Sequence, residues 1–156
     1  MMKGWNTKML TRGAVIAAAY IAVTLINPYS FGNIQVRVSE AMTLLPVLWP
    51  EATIGLTVGC FLSNVLGPNG IIDAVVGSLA TLAAALLTRR LRANRWVAAL
   101  PPILVNGVVI GAMLHIIADL PLLLTMLQVS IGQAIACYAL GIPLLMTVKR
   151  LELGRG

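Results

Sequence analysis

All but one of the 11 lysine and arginine residues fall into three short clusters, and long apolar runs separate these clusters. The clusters cover residues 3–12, 89–95 and 149–155. Basic connections of membrane proteins are enriched on the cytoplasmic side of the bilayer. The three clusters therefore predict an even number of membrane crossings, with both termini in the cytoplasm.

The composition indicates that lipid is the solvent of this chain. Hydrophobic residues make up 59% of the sequence and charged residues 10%, whereas an average soluble domain has about 25% charged residues. The net charge of +6 comes from basic residues that flank apolar segments. We therefore interpret it as a sign of membrane topology and expect no nucleic-acid binding.

The apolar runs predict about six transmembrane helices, because a span needs roughly 20 apolar residues, or fewer where the bilayer thins. The predicted spans are Leu10–Ile26, Ala41–Trp49, Glu51–Leu66, Ile71–Leu87, Val97–Ile117 and Pro121–Val148. The second span is short, yet without it the basic clusters could not share one side. A kink is expected at Pro143. We predict an all-α integral membrane protein, a compact helix bundle forming one domain over residues 1–156.

Small residues recur at every fourth position in three of these helices. The three stripes are Ala14, Ala18 and Ala22; Gly55, Gly59 and Ser63; and Gly107 and Gly111. In lipid, this spacing lets two helix backbones approach closely. A stripe either packs inside the bundle or contacts another protein, and for the first helix the spacing leaves both alternatives open.

Several reaction classes lack their residues in this sequence. The lysines stand near the chain ends and outside any glycine-rich loop, so the chain has no P-loop for ATP hydrolysis. His115 is the single histidine, which excludes a multi-histidine metal site within one chain. We expect a protein that is not an enzyme and that needs neither a metal ion nor a cofactor.

Polar residues at the outer side are candidates for binding a small solute, because intramembrane polar side chains normally face the bundle interior. The candidates are Tyr29, Phe31, Gln35, Arg37, Glu40, Asn64, Asp73, His115 and Gln133. Structural alternatives exist: Arg37 could pair with Glu40, Asp73 could cap its helix, and His115 could be an interfacial residue. Gln133 is the hardest to explain structurally, since an unpaired amide in lipid is costly.

The outer connection Tyr29–Glu40 combines aromatic rings, amides and both charge signs. Aromatic rings stack on a flat heterocycle, and a carboxylate accepts two parallel N–H bonds from an amino-pyrimidinone edge. This composition fits a lid over a solute, and a structural loop is the alternative. Two other function classes stay open: a secondary transporter that works alone, and a structural subunit that binds no solute.

Longer motifs resemble those of a known family. The segment Ser30–Ala52, SFGNIQVRVSEAMTLLPVLWPEA, is similar to the signature of the QueT family, and Gly77–Arg92, Leu100–Gly107 and Cys137–Leu145 match it as well. Members of this family are substrate-binding (S) components of energy-coupling factor (ECF) transporters, associated with the uptake of queuosine precursors. The resemblance extends over nearly the whole chain.

The resemblance implies a six-helix protein in the plasma membrane of a prokaryote, with a substrate pocket that opens outward. It implies three partner subunits, namely a transmembrane coupling subunit and two ATPase subunits that hydrolyse ATP. In S components a small-residue stripe on the first helix contacts the coupling subunit, and Ala14, Ala18 and Ala22 match that stripe.

The implied substrate is a 7-deazaguanine derivative. Glu40 and Asp73 would bind its polar edge or its ammonium group, Tyr29 or Phe31 would stack on the ring, and Gln35, Asn64 and Gln133 would complete the hydrogen bonds. By the same resemblance, an acidic residue often occupies the position of Gln133. An amide there keeps a hydrogen bond but removes a counter-charge for a cationic aminomethyl group.

Overall fold

The computed structural model describes residues 6–27, 30, 37–68 and 70–154, and these residues form six helical elements without a β-strand. They are α1 (Thr7–Ile26), a 3₁₀ helix (Val38–Val47), α2 (Glu51–Val65), α3 (Gly70–Arg90), α4 (Arg95–Ala118) and α5 (Leu122–Leu153). Helices α1, α3, α4 and α5 are long and apolar enough to cross a membrane. The prediction of an all-α bundle is confirmed.

Helix ends follow local sequence signals. The side chain of Asn6 accepts a hydrogen bond of 2.9 Å from the backbone N–H of Met9, which caps the start of α1. Helix α1 ends at Ile26, two residues before Pro28, as expected because proline disfavours helical geometry in the residue before it. Asn94 caps the start of α4 in the same way, through a bond of 2.9 Å to the N–H of Trp96.

The 3₁₀ helix lies at the centre of the bundle. Around it, α1 packs on α2, α2 on α3, α3 on α4, and α4 on α5, while the 3₁₀ helix itself contacts α1, α2, α3 and the middle of α5. Its buried residues are Ser39, Glu40, Ala41, Thr43, Leu44, Leu45 and Pro46. Side chains of this element therefore contact the surrounding helices on most of its sides.

The 3₁₀ helix corrects the start of the second predicted span. It begins at Val38 rather than Ala41, so Glu40 belongs to its first turn and not to the outer connection. It also traverses the bundle despite its length of 10 residues. Ser39 at its start bonds to Thr24 near the end of α1, and Trp49, just after its end, stacks under Arg12 near the start of α1. A rise of about 2.0 Å per residue extends ten residues to about 20 Å.

The three basic clusters meet at one end of the bundle. Arg12 of α1 forms an ion pair of 3.6 Å with Glu152 near the end of α5. Lys149 of α5 lines a cavity together with Arg92, which follows α3, and Arg95, the first residue of α4. We call this the basic end. Both described chain ends therefore lie on the same side, as an even number of crossings requires.

Two of the small-residue stripes form packing faces. A Cβ atom added to Gly55 of α2 would lie 2.5 Å from the carbonyl oxygen of Gly13 in α1. A Cβ atom added to Gly111 of α4 would lie 2.7 Å from the Cα atom of Met126 in α5. Such close approach is the usual basis of helix association in lipid. The Ala14, Ala18 and Ala22 stripe differs, because all three alanines are exposed on the outside of α1.

Helix α5 departs from α-helical geometry just before Pro143. Residues Ile135–Gly141 form a π-helical segment, and α-helical geometry resumes at Ile142. Proline lacks an N–H donor and its ring crowds the preceding turn, so an irregularity was expected at this place. The π segment packs against the 3₁₀ helix and follows directly after Gln133.

Candidate functional site

A buried carboxylate, that of Glu40, accepts hydrogen bonds from three helices. The hydroxyl of Tyr20 in α1 donates to its Oε1 atom. The amide of Gln133 in α5 donates to Oε2 over 2.9 Å, and the amide of Asn106 in α4 donates to the same oxygen over 3.4 Å. Glu40 is 3% exposed. Hydrogen bonds from neutral groups therefore replace the water that this carboxylate loses on burial.

A second buried acid, Asp73 of α3, lies next to Arg37. The guanidinium Nη2 of Arg37 is 3.1 Å from Oδ2 of Asp73, and its Nε donates to the carbonyl oxygen of Ser30 over 2.9 Å. Asn64 of α2 donates from its amide to the backbone carbonyl of Asp73 over 3.1 Å. Burial makes this ion pair far more consequential than a surface pair, because a charge left there without its counter-ion would have little water to compensate for the loss.

One central cavity adjoins both groups. It is lined by Arg37, Glu40, Thr81, Asn106, Ile110, Val129 and Gln133. Its volume is about 10 Å³, which is about the room that one water molecule needs. Four different helical elements and the Arg37 side chain thus converge on a single small cavity in the bundle.

The polar balance of this site favours a ligand that donates hydrogen bonds. Glu40 and Asp73 contribute two negative charges and Arg37 one positive charge. Within the described ranges, the side-chain oxygen of Asn106 is buried and has no hydrogen-bond partner. The site therefore contains more negative charge than positive charge, and it has one acceptor oxygen to spare.

Comparison with known proteins identifies the chain. The sequence model of a family described as QueT transporter matches residues 10–150. The chain belongs to the QueT transporter family. The membrane-spanning character of α1, α3, α4 and α5 agrees with membership in a family of transporters.

One protein similar in sequence to this QueT family member is the queuosine precursor transporter QueT of Lactococcus lactis subsp. cremoris (strain MG1363). The two sequences are 34% identical over 84 residues, which is 52% of this chain and 49% of the relative. The match thus spans about half the length of the relative. No solved structure matches this family member.

The structure brings together most of the site residues predicted from the sequence. Arg37, Glu40 and Gln133 line the cavity, Asp73 contacts Arg37, and Asn64 contacts Asp73. Tyr29, Phe31 and Gln35 lie outside the described residues. Their predicted roles as a lid stay predictions.

Two predicted contacts have a different geometry. Arg37 pairs with Asp73 rather than with Glu40. His115 lies in the last turn of α4, where Nδ1 contacts the carbonyl oxygen of Leu120. It is not among the residues that line the central cavity, and the contact is that of an interfacial residue closing a helix end.

Three residues of the site were missed by sequence reasoning, namely Tyr20, Thr81 and Asn106. Asn106 is the one amide in the long apolar run of α4, so the argument that selected Gln133 applies equally to it. Tyr20 is fully buried in α1. In this helix the sequence pattern, small residues at every fourth position, indicated only the outer face. Thr81 carried no signal, since threonine is common in apolar helices.

Proposed function

We propose that this chain is the substrate-binding component of an ECF-type ATP-driven importer and captures a queuosine precursor, a 7-deazaguanine derivative. Membership in the QueT transporter family and the name of the Lactococcus relative support the transport role. One observation carries the substrate class. Two acceptors lie at one buried cavity: the Glu40 carboxylate and the Asn106 side-chain oxygen, which has no hydrogen-bond partner among the described residues.

These two groups suit the edge of an amino-pyrimidinone ring. Such an edge presents neighbouring N–H donors, and a carboxylate accepts two of them in parallel. The side-chain oxygen of Asn106 offers a third acceptor on the same cavity wall. On binding, the ligand would take over the position of the weaker donor to Glu40, the Asn106 amide at 3.4 Å.

The charge of the site supports a cationic ligand. Glu40 accepts bonds only from neutral groups in the described part of the chain, and the positive charge of Arg37 lies against Asp73. A carboxylate without a counter-ion is costly in a bundle surrounded by lipid. A cationic ligand would bring a positive charge into the site even where its ring edge, and not its ammonium group, bonds to Glu40, which favours an aminomethyl derivative over a neutral nitrile.

Binding requires the cavity to enlarge. A volume of about 10 Å³ holds about one water molecule, whereas a bicyclic heterocycle displaces many. Gln133 lines the cavity and lies two residues before the π segment of α5, a helix type often found at functional sites. We expect ligand entry to move α5 relative to the 3₁₀ helix and so to enlarge the cavity.

The partner assignment rests on exposure and charge. The basic end would face the cytoplasm by the positive-inside rule, which places the central cavity toward the outside. The exposed stripe Ala14, Ala18 and Ala22 presents a smooth face for a transmembrane coupling subunit. Two ATPase subunits would supply the energy, because this chain has no P-loop lysine.

Calorimetry with aminomethyl-deazaguanine tests the binding site. Glu40→Gln should weaken binding at least about tenfold, because a hydrogen bond to a charged group contributes about 1.5–3 kcal/mol. Asp119→Asn is the matched control: it makes the same chemical change at an exposed position outside the cavity. Equal affinity of both variants and the wild type would remove the site assignment.

A transport assay separates the proposed function from its two alternatives. In proteoliposomes, uptake should require the coupling subunit, the ATPase subunits and ATP together with this chain. Uptake by the chain alone under an ion gradient would instead identify a secondary transporter. Absence of both binding and uptake would leave a structural subunit, although the convergence of Arg37, Glu40 and Gln133 on one cavity argues for binding.

A further inference from the structure

A second and larger cavity opens at the basic end, far from the central one. Its volume is about 400 Å³. Three basic side chains line it, Arg92 from the connection between α3 and α4, Arg95 from the first residue of α4, and Lys149 from α5. The apolar side chains of Leu145 and Met146 continue the lining along α5. The cavity is therefore amphipathic, with basic side chains on one side and apolar side chains on the other.

Within the residues that the structure describes, no carboxylate pairs with the cations of this cavity. No acidic residue lines it, and the ion pairs in the described part of the chain involve only Arg12 and Arg37 as cations. Glu152, the nearest acid along the chain, accepts from Arg12 and from the indole of Trp49. Three like charges around one concavity repel each other, and an anion placed between them would relieve that repulsion.

The depth of the cavity is that of a membrane interface. Trp96 lines it and stacks on Tyr138 of α5, with ring centroids 6.0 Å apart. The Tyr138 hydroxyl donates to the backbone carbonyl of Trp96 over 3.1 Å. Tryptophan and tyrosine concentrate at the level of the lipid headgroups. The basic residues beside them therefore lie where phosphate groups of a bilayer are found.

We propose that this cavity binds the phosphate group of an anionic phospholipid from the leaflet at the basic end. Arg92, Arg95 and Lys149 bind the phosphate, and Leu145 and Met146 contact the upper part of an acyl chain. Basic pockets between helices on this kind of face are suited to such headgroups. The apolar wall distinguishes a lipid from free phosphate, and the aromatic pair distinguishes it from an acidic protein surface.

Binding would join two separate parts of the bundle. Arg92 lies between α3 and α4, and Arg95 is the first residue of α4, whereas Lys149 lies near the end of α5. One phosphate shared by these residues ties the connection between α3 and α4 to the end of α5. The lipid is therefore expected to stabilise the folded protein, independently of what the central cavity binds.

The test uses purified full-length protein in a neutral detergent, with phosphatidylglycerol, phosphatidylcholine or inorganic phosphate added. Phosphatidylglycerol should raise the melting temperature, and the other two should not. A triple variant, Arg92→Gln with Arg95→Gln and Lys149→Gln, should bind phosphatidylglycerol about 100-fold more weakly, at roughly fivefold per basic residue. Native mass spectrometry measures the retained lipid directly.

The matched control removes the same charge elsewhere. Lys8, Arg90 and Arg150 are exposed and do not line the cavity, so the variant with glutamine at all three positions should bind as the wild type does. Lys149→Gln alone, with an expected loss of about fivefold, keeps the test valid if the triple variant fails to fold. Equal losses in both triple variants, or equal stabilisation by inorganic phosphate, would overturn the proposal.

Discussion

The amide nitrogen of Gln133 lies 2.9 Å from the carboxylate of Glu40, and the two residues are 93 positions apart in the chain. This bond connects the first turn of the central 3₁₀ helix to α5 just before its π segment. Gln133 thus acts as a neutral donor that satisfies a buried carboxylate. An acidic residue at this position would put two carboxylates together.

Gln133→Leu is expected to destabilise the protein by about 1–3 kcal/mol, because Glu40 keeps its charge and loses its shortest amide donor. The measurement is thermal unfolding in detergent, followed by intrinsic fluorescence. Gln128→Leu is the control, since Gln128 lies on the same helix and no hydrogen bond of its side chain is found within the described ranges. Equal melting temperatures of the two variants would show that the hydrogen bond to Glu40 does not contribute to the stability of the fold.

The Arg37–Asp73 ion pair should show strong coupling in a double-mutant cycle. Arg37→Gln or Asp73→Asn alone is expected to cost about 3–5 kcal/mol, because each leaves the opposite charge buried without its partner. The double variant should cost clearly less than the sum of the two, since it leaves neither charge. Additive losses would indicate that the other contacts of these residues, and not their attraction, determine stability.

The helices were predictable from sequence because hydropathy is a property of each residue and breaks visibly at proline, glycine and charge. The predicted span Glu51–Leu66 and the observed helix Glu51–Val65 agree to one residue. The geometry of the central element was not predictable. Its 10 residues look too short for an α-helical span, and a 3₁₀ helix beyond the usual three or four residues depends on packing against the helices that surround it.

The candidate site was predictable as a group but not as a set of pairs. Buried charges such as Arg37 and Glu40 have to face the interior of a bundle in lipid, so composition alone selects them. Their partners depend on the rotation of each helix about its axis, which spacing does not determine. Arg37 and Glu40 are three positions apart, so an ion pair between them was one prediction. Arg37 instead contacts Asp73 of α3.

The contact of α1 with α2 predicts opposite results for two glycines that face each other. In Gly55→Ala, the new methyl group would lie 2.5 Å from the Gly13 carbonyl oxygen, so the helix backbones have to separate. In Gly13→Ala, the nearest atom would be 3.5 Å away, which is ordinary contact. Overpacking costs typically about 1–3 kcal/mol, so Gly55→Ala should lower the melting temperature and Gly13→Ala should not.

That pair of variants controls for helix propensity, since both replace glycine by alanine within a helix. Alanine gains about 1 kcal/mol over glycine in a helix interior, and Gly13→Ala should show part of this gain. A similar loss of stability in both variants would indicate that α1 and α2 are less closely packed than the Gly13–Gly55 approach requires.

At the basic end, Arg12 serves two acids of very different exposure. Its guanidinium lies 2.8 Å from Glu51, whose side chain is 1% exposed, and 3.6 Å from Glu152, whose side chain is 43% exposed. Glu51→Gln removes the buried charge and keeps a polar partner for Arg12. Arg12→Gln instead leaves the Glu51 carboxylate buried without its cation.

Arg12→Gln should therefore destabilise the protein by about 3 kcal/mol, near the lower limit for breaking a buried pair because Arg12 is partly exposed. Glu152→Gln should cost less than about 1 kcal/mol, since it removes only a solvent-exposed pair and its remaining amide oxygen can still accept from Trp49. Melting temperatures at low and high salt distinguish the two, because salt screens the exposed pair much more than the buried one. Equal, salt-sensitive losses in both variants would mean that Glu51 is hydrated and that Arg12 is not needed to keep it inside.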